Sequence, residues 1–258
     1  MTEIAVTRAR KMGSLESHGD DQGSQQRKDH LYILAHGLQM FPGGGVSSLD
    51  FLRNSLRESV ADAVVYVATS NLGFNTLDGI DAGGRRLADE VRAVVSSSTE
   101  LKKISFIGFS LGGLHCRYAI GVLFDTISGT ICGLTPSNFV SMASPHLGLR
   151  NLMPLGAVAH FLASVFLGST GKQLFMLDGE SPEQGILHSL TLDGDLPFIT
   201  AIQSFQDRML YANTCADFQV GGWVPPPHDA MPTSPEGRGG RRLKGADTRS
   251  AAAAAAAS

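Results

Sequence analysis

Five short apolar runs alternate along this sequence with stretches whose apolar residues recur at helical spacing, and this alternation is the strongest constraint on the fold. The runs cover residues 31–35, 63–68, 104–108, 138–142 and 209–213. Continuous apolar runs of this length are typical of strands that are buried on both faces, as in parallel sheets. The pattern therefore predicts an α/β fold with a mostly parallel sheet and helices on both faces.

Three helical stripes separate the first four runs. The stripes consist of Leu49, Leu52, Leu56 and Val60, then Leu87, Val91, Val94 and Val95, and then Leu111, Leu114, Tyr118 and Val122. Ser47 lies three residues before Asp50, which favours an N-terminal cap on the first helix. We expect one folded domain over residues 30–223.

The two ends of the chain differ in composition from its centre. Residues 1–29 are rich in Ser, Gln, Gly and charge, and residues 224–258 combine a triple proline, a Gly/Arg-rich segment and a run of alanines. Such segments bury too little apolar surface to fold, so we expect a disordered leader and a low-complexity disordered tail. No apolar run precedes Leu31, which predicts no secretory signal peptide and a cytoplasmic location, in the cytosol or on the cytosolic face of a membrane.

Composition argues against several classes of function. A net charge of -3 gives no electrostatic reason to expect nucleic-acid binding. Cys116, Cys132 and Cys215 have no metal-binding spacing, so we interpret them as reduced thiols rather than as a metal site or a disulfide framework. The Gly-rich stretch 42–45 lacks the fingerprints of nucleotide-binding loops.

The string Gly108-Phe109-Ser110-Leu111-Gly112 lies where a predicted strand meets a predicted helix. Gly-x-Ser-x-Gly in this context is typical of a nucleophile elbow, a sharp turn that exposes a serine hydroxyl. The backbone N–H of Leu111, in the first turn of the helix, would then face the developing oxyanion. The alternative is an ordinary Gly-rich turn with an incidental serine.

Together with other stretches, this string resembles the putative serine esterase family, a lipase-like group of eukaryotic α/β-hydrolases. The resemblance rests on Leu31-Tyr-Ile-Leu-Ala-His-Gly37, Gly79-Ile-Asp-Ala-Gly-Gly-Arg-Arg-Leu-Ala-Asp-Glu-Val91, Lys103-Ile-Ser-Phe-Ile-Gly-Phe-Ser-Leu-Gly-Gly-Leu114, Ala143-Ser-Pro-His-Leu-Gly148 and Arg208-Met-Leu-Tyr-Ala-Asn213 followed by Asp217. It implies an α/β-hydrolase fold and hydrolysis of an acyl ester of a lipid through an acyl-enzyme, without metal or organic cofactor.

The resemblance also suggests the partners of Ser110. It places the second oxyanion donor after the first core strand, where the N–H of Leu38 is the first candidate and Gln39 the second. It implies Asp217 as the acid of the triad, because the expected chain order is Ser, then Asp or Glu, then His; the alternative is a loop aspartate that caps a turn. Asp78 and Asp81 precede Ser110 and fit that order badly.

Two histidines in the matching stretches are interpreted as structural. His36 is expected to anchor its loop by hydrogen bonds. His146 precedes the predicted acid, so it is expected to be structural or to line the pocket.

The general base is the point where the sequence departs from the family. After Asp217 the chain has one histidine, His228, and it directly follows the three prolines 225–227. Prolines cannot supply the N–H groups of a central strand, so the ordered continuation that the family carries is not recognisable here. We expect the sequence to be truncated or replaced from about Val224, and His228 to act as base from a flexible segment if a base is present.

The segment 147–196 has no strand pattern and is predicted to be a cap or lid. Within it, residues 152–168 are apolar almost throughout but short for a membrane span. They predict either a buried cap helix or a lid whose apolar face contacts a lipid substrate or a membrane surface.

These observations predict a serine esterase or lipase that acts through Ser110, with weak activity or none in this chain because its histidine is in doubt. The alternative is a catalytically impaired relative that binds lipid or a protein partner. Acyltransferase and thioesterase chemistry would use the same residues.

Overall fold

The structure is a computed structural model that describes residues 28–39, 49–60, 62–149 and 166–212. Its strands are β1 (His30–Ala35), β2 (Ala63–Val67), β3 (Lys103–Phe109), β4 (Phe124–Asp125), β5 (Thr130–Ile131), β6 (Thr135–Met142) and β7 (Asp207–Tyr211). Its α-helices are α1 (Asp50–Ser59), α2 (Ile80–Ser96), α3 (Leu111–Leu123), α4 (Gly168–Leu174), α5 (Ile186–Ser189) and α6 (Phe198–Gln203). Short 3-10 helices cover Gly73–Leu77 and Pro182–Gln184.

Several predicted features lie outside the described residues. They are the leader up to residue 27, the cap residue Ser47, most of the apolar segment 152–168, and the sequence from residue 213 onward.

The described strands form one parallel sheet in the order β2-β1-β3-β6-β7, and a separate hairpin of β4 and β5. Successive residues of β1 point to opposite faces of the sheet, and both faces are buried, so its sequence is apolar throughout. Leu31 and Ile33 belong to the cluster that α2 and α3 cover. Tyr32 and Leu34 pack on the other face with Leu49 and the apolar side of α1. The predicted parallel sheet with helices on both faces is therefore confirmed.

The strand order has a topological switch point between β1 and β3. From β1 the chain runs through α1 to β2 on one side, and then through α2 across to β3 on the other side. The connections that follow β1 and β3 leave toward opposite faces of the sheet. Ligands of open α/β sheets bind outside the carboxyl ends of the strands at such a switch point. The chain segments after Ala35 and Phe109 begin at this point.

Element boundaries differ modestly from the sequence expectation. β6 begins at Thr135 and includes Pro136, and β7 runs over Asp207–Tyr211 rather than 209–213. The β4–β5 hairpin was not predicted, because strands of two residues carry no periodic signal. None of the helices in the described ranges combines the length and apolarity needed to cross a membrane.

Helices α2 and α3 approach closely because α2 carries glycine where α3 presents large side chains. A Cβ atom at Gly84 would lie 2.5 Å from Tyr118 Cβ, in a region where Tyr118 is buried. We expect Gly84→Ala to lower the free energy of unfolding by about 1–3 kcal/mol, the usual cost of overpacking. This loss should exceed the gain of about 1 kcal/mol in helix propensity. Urea unfolding followed by circular dichroism measures the difference.

Gly194→Ala is the matched control, since a Cβ atom there meets no atom within 4 Å. Its urea midpoint should stay close to that of the wild type. Equal midpoints for the two variants would contradict the close-packing explanation.

Candidate active site

Ser110 occupies the tight turn between β3 and α3, at the switch point of the sheet. Its backbone has φ 53° and ψ -126°, and a positive φ is unfavourable for a residue with a side chain. The Ser110 N–H donates to the carbonyl oxygen of Met142 at 2.8 Å, which ties the turn to the end of β6. The Gly113 N–H donates to Ser110 O at 3.0 Å and begins the first turn of α3. The surrounding structure thus holds Ser110 in a strained position.

Glycine at position 112 allows α3 to start against the end of β1. A Cβ atom at Gly112 would lie 2.3 Å from the Ala35 carbonyl oxygen and 2.5 Å from that of His36. No side chain fits in this space without displacing the backbone of β1. The second glycine of the Gly-x-Ser-x-Gly string is therefore required by a backbone-to-backbone contact, as the elbow interpretation expects.

The segment after β1 lies directly beside Ser110. A Cβ atom at Gly37 would lie 2.8 Å from Ser110 Cβ and 3.3 Å from Ser110 Oγ. The strand order thus brings the loop after β1 and the turn after β3 together. Small molecules that reach the Ser110 hydroxyl would also contact the backbone of this loop.

Two backbone N–H groups were predicted to serve an oxyanion next to Ser110. Leu111 is the first residue of α3, where helical N–H groups have no partner within the helix. Within the described residues, no hydrogen bond joins the Leu38 N–H to another group. The Gln39 N–H, the second candidate, donates to Thr76 Oγ1 at 3.2 Å. This bond favours Leu38 over Gln39 as the donor.

The loop after β1 is held by a buried polar contact to the 3-10 helix Gly73–Leu77. Gln39 Oε1 accepts a hydrogen bond from the Gly73 N–H at 3.0 Å, and Thr76 is fully buried against the Gln39 backbone. Thr170 of α4 in turn donates to Thr76 O at 2.7 Å. Thr76 and Thr170 were not predicted from the sequence, because isolated threonines carry no pattern that marks a contact between distant segments.

The first structural histidine, His36, is buried and bonded within its own loop. Its Nδ1–H donates to the Gly37 carbonyl oxygen at 2.8 Å. This contact agrees with the expected anchoring role.

The second structural histidine, His146, lies in the segment that follows β6. His146 Nε2 lies 2.7 Å from Ser141 Oγ, and Arg117 Nη1 donates toward Nδ1 at 3.4 Å. Burial, reinforced by the charge of Arg117, lowers the pKa of His146 to about 3. The neutral imidazole therefore donates through Nε2 to Ser141 and accepts at Nδ1.

Arg117 is a second feature that the sequence analysis missed. Its guanidinium also donates to the Leu190 carbonyl oxygen at 2.5 Å, and burial lowers the pKa of Arg117 to about 10. These contacts connect α3 to His146, directly before the predicted lid, and to Leu190 within it. The available signal was a single charge in a helix that is otherwise almost wholly apolar.

The described residues do not include the predicted acid and base. Asp217 and His228 both lie outside the described ranges. Among the histidines that the structure describes, none is hydrogen-bonded to Ser110 Oγ. Ser110, Leu111 and Leu38 are thus brought together, and the positions of the other two predicted site residues stay predictions.

Exposed apolar side chains follow the carboxyl ends of several strands, on the same edge of the sheet as Ser110. Phe74 after β2 and Leu147 after β6 are 78% and 74% exposed, and Phe109 and Tyr211 are also exposed. This edge therefore presents apolar surface around the strained serine.

Residues 25–221 match the family described as "Putative serine esterase (DUF676)". The chain belongs to this family. The esterase family is a hydrolase family, and its match covers all the described residues. The resemblance that the sequence motifs suggested is confirmed.

Curated relatives of this esterase-family chain carry lipase names. "Putative lipase ROG1" of Saccharomyces cerevisiae is 28% identical over 74% of this chain and 27% of its own length. "Putative lipase C4A8.10" of Schizosaccharomyces pombe is 29% identical over 75% of this chain and 25% of its own length. "Putative lipase YDL109C" of Saccharomyces cerevisiae is 30% identical over 74% of this chain and 29% of its own length. The chain thus spans between a quarter and a third of the length of these relatives.

Solved structures align over part of the chain. Phospholipase PlaB from Legionella pneumophila in complex with thio-NAD aligns with a TM-score of 0.46 and 18% identity, over 70% of this chain and 37% of that chain. The mature form of Bacillus licheniformis lipase BlEst2 aligns with a TM-score of 0.42 and 12% identity, over 75% of this chain and 68% of that chain.

The strained backbone of Ser110 predicts that glycine is more stabilising than alanine at this position, which reverses the usual order of these two residues. Gly tolerates positive φ, whereas Ala does not, so Ser110→Gly should be more stable than Ser110→Ala by about 1 kcal/mol. Both variants lack the hydroxyl, so their difference isolates the backbone. Thermal unfolding of the two proteins gives the comparison.

The same pair of substitutions at Ser97, an exposed residue at the end of α2, serves as the control. Its φ is -80°, and both substitutions remove the same hydroxyl contact to the Val94 carbonyl oxygen. Ala should there be equal to or more stable than Gly, because Gly loses more chain entropy on folding. If Ala were also the more stable residue at position 110, the backbone there would not be strained.

Proposed function

We propose that this chain is a serine hydrolase of carboxylic esters with Ser110 as its nucleophile. The observation that supports this most is the strained conformation of Ser110 at the start of α3 and beside Gly37, the residue before Leu38, at the switch point of the sheet. Cys132, Ala143 and Met176 also have positive φ values, but of these described non-glycine residues only Ser110 carries a hydroxyl and lies at a strand-to-helix turn. Membership of a serine esterase family supports the same assignment.

The proposed reaction proceeds through an acyl-enzyme. Ser110 Oγ forms a bond to the ester carbonyl carbon while its proton passes to a histidine, assigned from the sequence to His228. The Leu38 and Leu111 N–H groups donate to the oxyanion, and the helix N-terminus at Leu111 favours its negative charge. The carbon–oxygen bond to the alcohol then breaks, and the alcohol leaves with the proton from the imidazolium. A water molecule reverses these steps on the acyl-enzyme and releases the acid.

Asp217 is proposed to orient the histidine and to stabilise its charged form. Its position after β7 agrees with the chain order Ser, Asp, His that is usual for this fold. The assignment of Asp217 and His228 rests on the sequence.

The substrate is proposed to be a lipid ester. Two observations support this: exposed Phe74, Phe109 and Leu147 lie on the same sheet edge as Ser110, and the curated relatives carry lipase names. An acyl chain could cover part of this apolar surface on binding. The segment 152–168 is proposed to add a peripheral membrane contact from the cytoplasmic side.

Fluorophosphonate labelling read by intact mass tests the nucleophile directly. The wild type is expected to gain one label and Ser110→Ala none, because the probe needs an activated hydroxyl. Ser144→Ala, a neighbouring serine variant, should label like the wild type. Asp217→Asn and His228→Gln should label at least about a hundredfold more slowly, the usual contribution of a general base.

A wild-type protein that is folded by circular dichroism but takes no label would contradict this proposal. That outcome would favour the catalytically impaired relative that binds lipid or a protein partner.

The contact between Gly37 and Ser110 predicts a kinetic effect of a single methyl group. In Gly37→Ala the new Cβ would press on Ser110 Cβ at 2.8 Å and displace the loop that carries the Leu38 N–H. We expect kcat for p-nitrophenyl butyrate to fall about a hundredfold or more, as when an oxyanion donor is lost. Gly194→Ala is the control with open space around the new methyl. A kcat within about twofold of the wild type would refute the placement of the Leu38 donor.

A further inference from the structure

A small cavity lies behind the loop that follows β1, on the side away from solvent. Its volume is about 10 Å³, and its lining consists of Ala35, His36, Ala68, Asn71, Leu87 and His115. Both histidines of the lining are almost fully buried, with exposures of 3% for His36 and 1% for His115. The Nε2 atoms of both are buried and have no hydrogen-bond partner within the described chain. Two unpaired polar atoms next to one cavity require an explanation, because a buried polar group without a hydrogen-bond partner destabilises the fold.

The orientation of Asn71 fixes the hydrogen-bonding pattern on one side of the cavity. Arg86 Nε donates to Asn71 Oδ1 at 2.9 Å, and a guanidinium can only donate. Asn71 Nδ2 therefore faces the opposite way, where it donates to Gly83 O at 2.8 Å and lies 3.5 Å from His115 Nδ1. The His115 Nδ1 atom thus faces a donor and acts as the acceptor.

The two imidazoles consequently present complementary atoms. A neutral imidazole carries one N–H, so His115 with Nδ1 as acceptor has its proton on Nε2. His36 donates through Nδ1–H to the Gly37 carbonyl oxygen, so its Nε2 is an acceptor. The unpaired atoms are therefore one donor, from α3, and one acceptor, from the loop after β1.

His115 remains neutral in this environment. Burial, together with the nearby His36 and Arg86, lowers the pKa of His115 to about 3. The ring packs against Gly83, where an added Cβ atom would lie 2.3 Å from His115 Nε2. The ring fits in this position because residue 83 is glycine, and its N–H is unpaired within the described chain.

We infer that one buried water molecule occupies this cavity, accepts a hydrogen bond from His115 Nε2–H and donates one to His36 Nε2. A cavity of about 10–15 Å³ holds one water when two or more polar groups face it, and larger molecules do not fit. The bridge joins α3, which begins at the Ser110 turn, to the loop that presents the Leu38 N–H. His115 is thereby a positioning residue for the oxyanion site, a role that rests on the function proposed above.

Nuclear magnetic resonance of the ¹⁵N-histidine-labelled wild type tests the bridge independently of any activity. The expected result is an Nδ1–H tautomer for His36, an Nε2–H tautomer for His115, and a cross-peak between the His115 Hε2 proton and the water frequency. A His115 ring protonated at Nδ1 would overturn the inference. So would an Hε2 proton without a water cross-peak, or one lost by exchange with bulk solvent.

Two variants of His115 separate positioning from packing. His115→Leu removes the donor, whereas His115→Gln keeps an N–H near the Nε2 position. With p-nitrophenyl butyrate, kcat should fall about tenfold or more in the leucine variant with KM nearly unchanged, because the donor loop shifts. The glutamine variant should keep kcat within about threefold of the wild type. His188→Leu, the same substitution outside this cluster, is the control and should leave kcat unchanged.

The amide exchange of the β1 loop gives a second readout. Exchange at Gly37 and Leu38 should accelerate in His115→Leu but not in His115→Gln, and equal exchange in both would overturn the positioning role. If the leucine variant does not fold, the glutamine variant and the wild-type spectra still test the water bridge and the positioning role of His115. A wild type without esterase activity would refute the proposed function, whereas the water cross-peak and the exchange data would still report on the bridge.

Discussion

The close approach of α3 to the end of β1 is the contact on which the rest of the site depends. Gly112 lies against the carbonyl oxygens of Ala35 and His36, so the helix begins within van der Waals distance of the end of β1. This distance leaves the chain one short turn in which to reverse, and Ser110 takes the strained position in it. The same contact sets Gly37 beside Ser110. The sheet order, the glycines and the strained serine are therefore one geometric arrangement.

Polar contacts then hold the loop after β1 from two sides. On one side Thr76 accepts from the Gln39 N–H, and Thr170 ties Thr76 to α4. On the other side His36 is bonded to Gly37 and faces the cavity that it shares with His115. Of the two candidate N–H groups in this loop, the one at Gln39 is already bonded to Thr76, which leaves Leu38 as the proposed donor to a substrate.

The sequence predicts the repeating parts of this structure better than the contacts between distant segments. Continuous apolar runs such as 31–35 identify strands buried on both faces, and the Gly-x-Ser-x-Gly string identifies the turn, because both are local consequences of packing. The β4–β5 hairpin escaped prediction because two-residue strands have no period. Thr76 and Arg117 escaped because their partners, Gln39 and Leu190, are distant in sequence. Asp217 and His228 stay predictions, since both lie beyond the described residues.

The parallel arrangement of β1 and β3 affects how the site forms during folding. The chain between Gly37 and Ser110 passes through α1, β2 and α2, because parallel neighbours need a crossover connection. Neither the loop nor the turn has a local reason to adopt its final shape before the central strands have paired. Assembly of the site is therefore coupled to the slow, long-range step of folding. Variants that delay pairing of the sheet would reduce the yield of competent molecules during synthesis, even where the finished protein is unchanged.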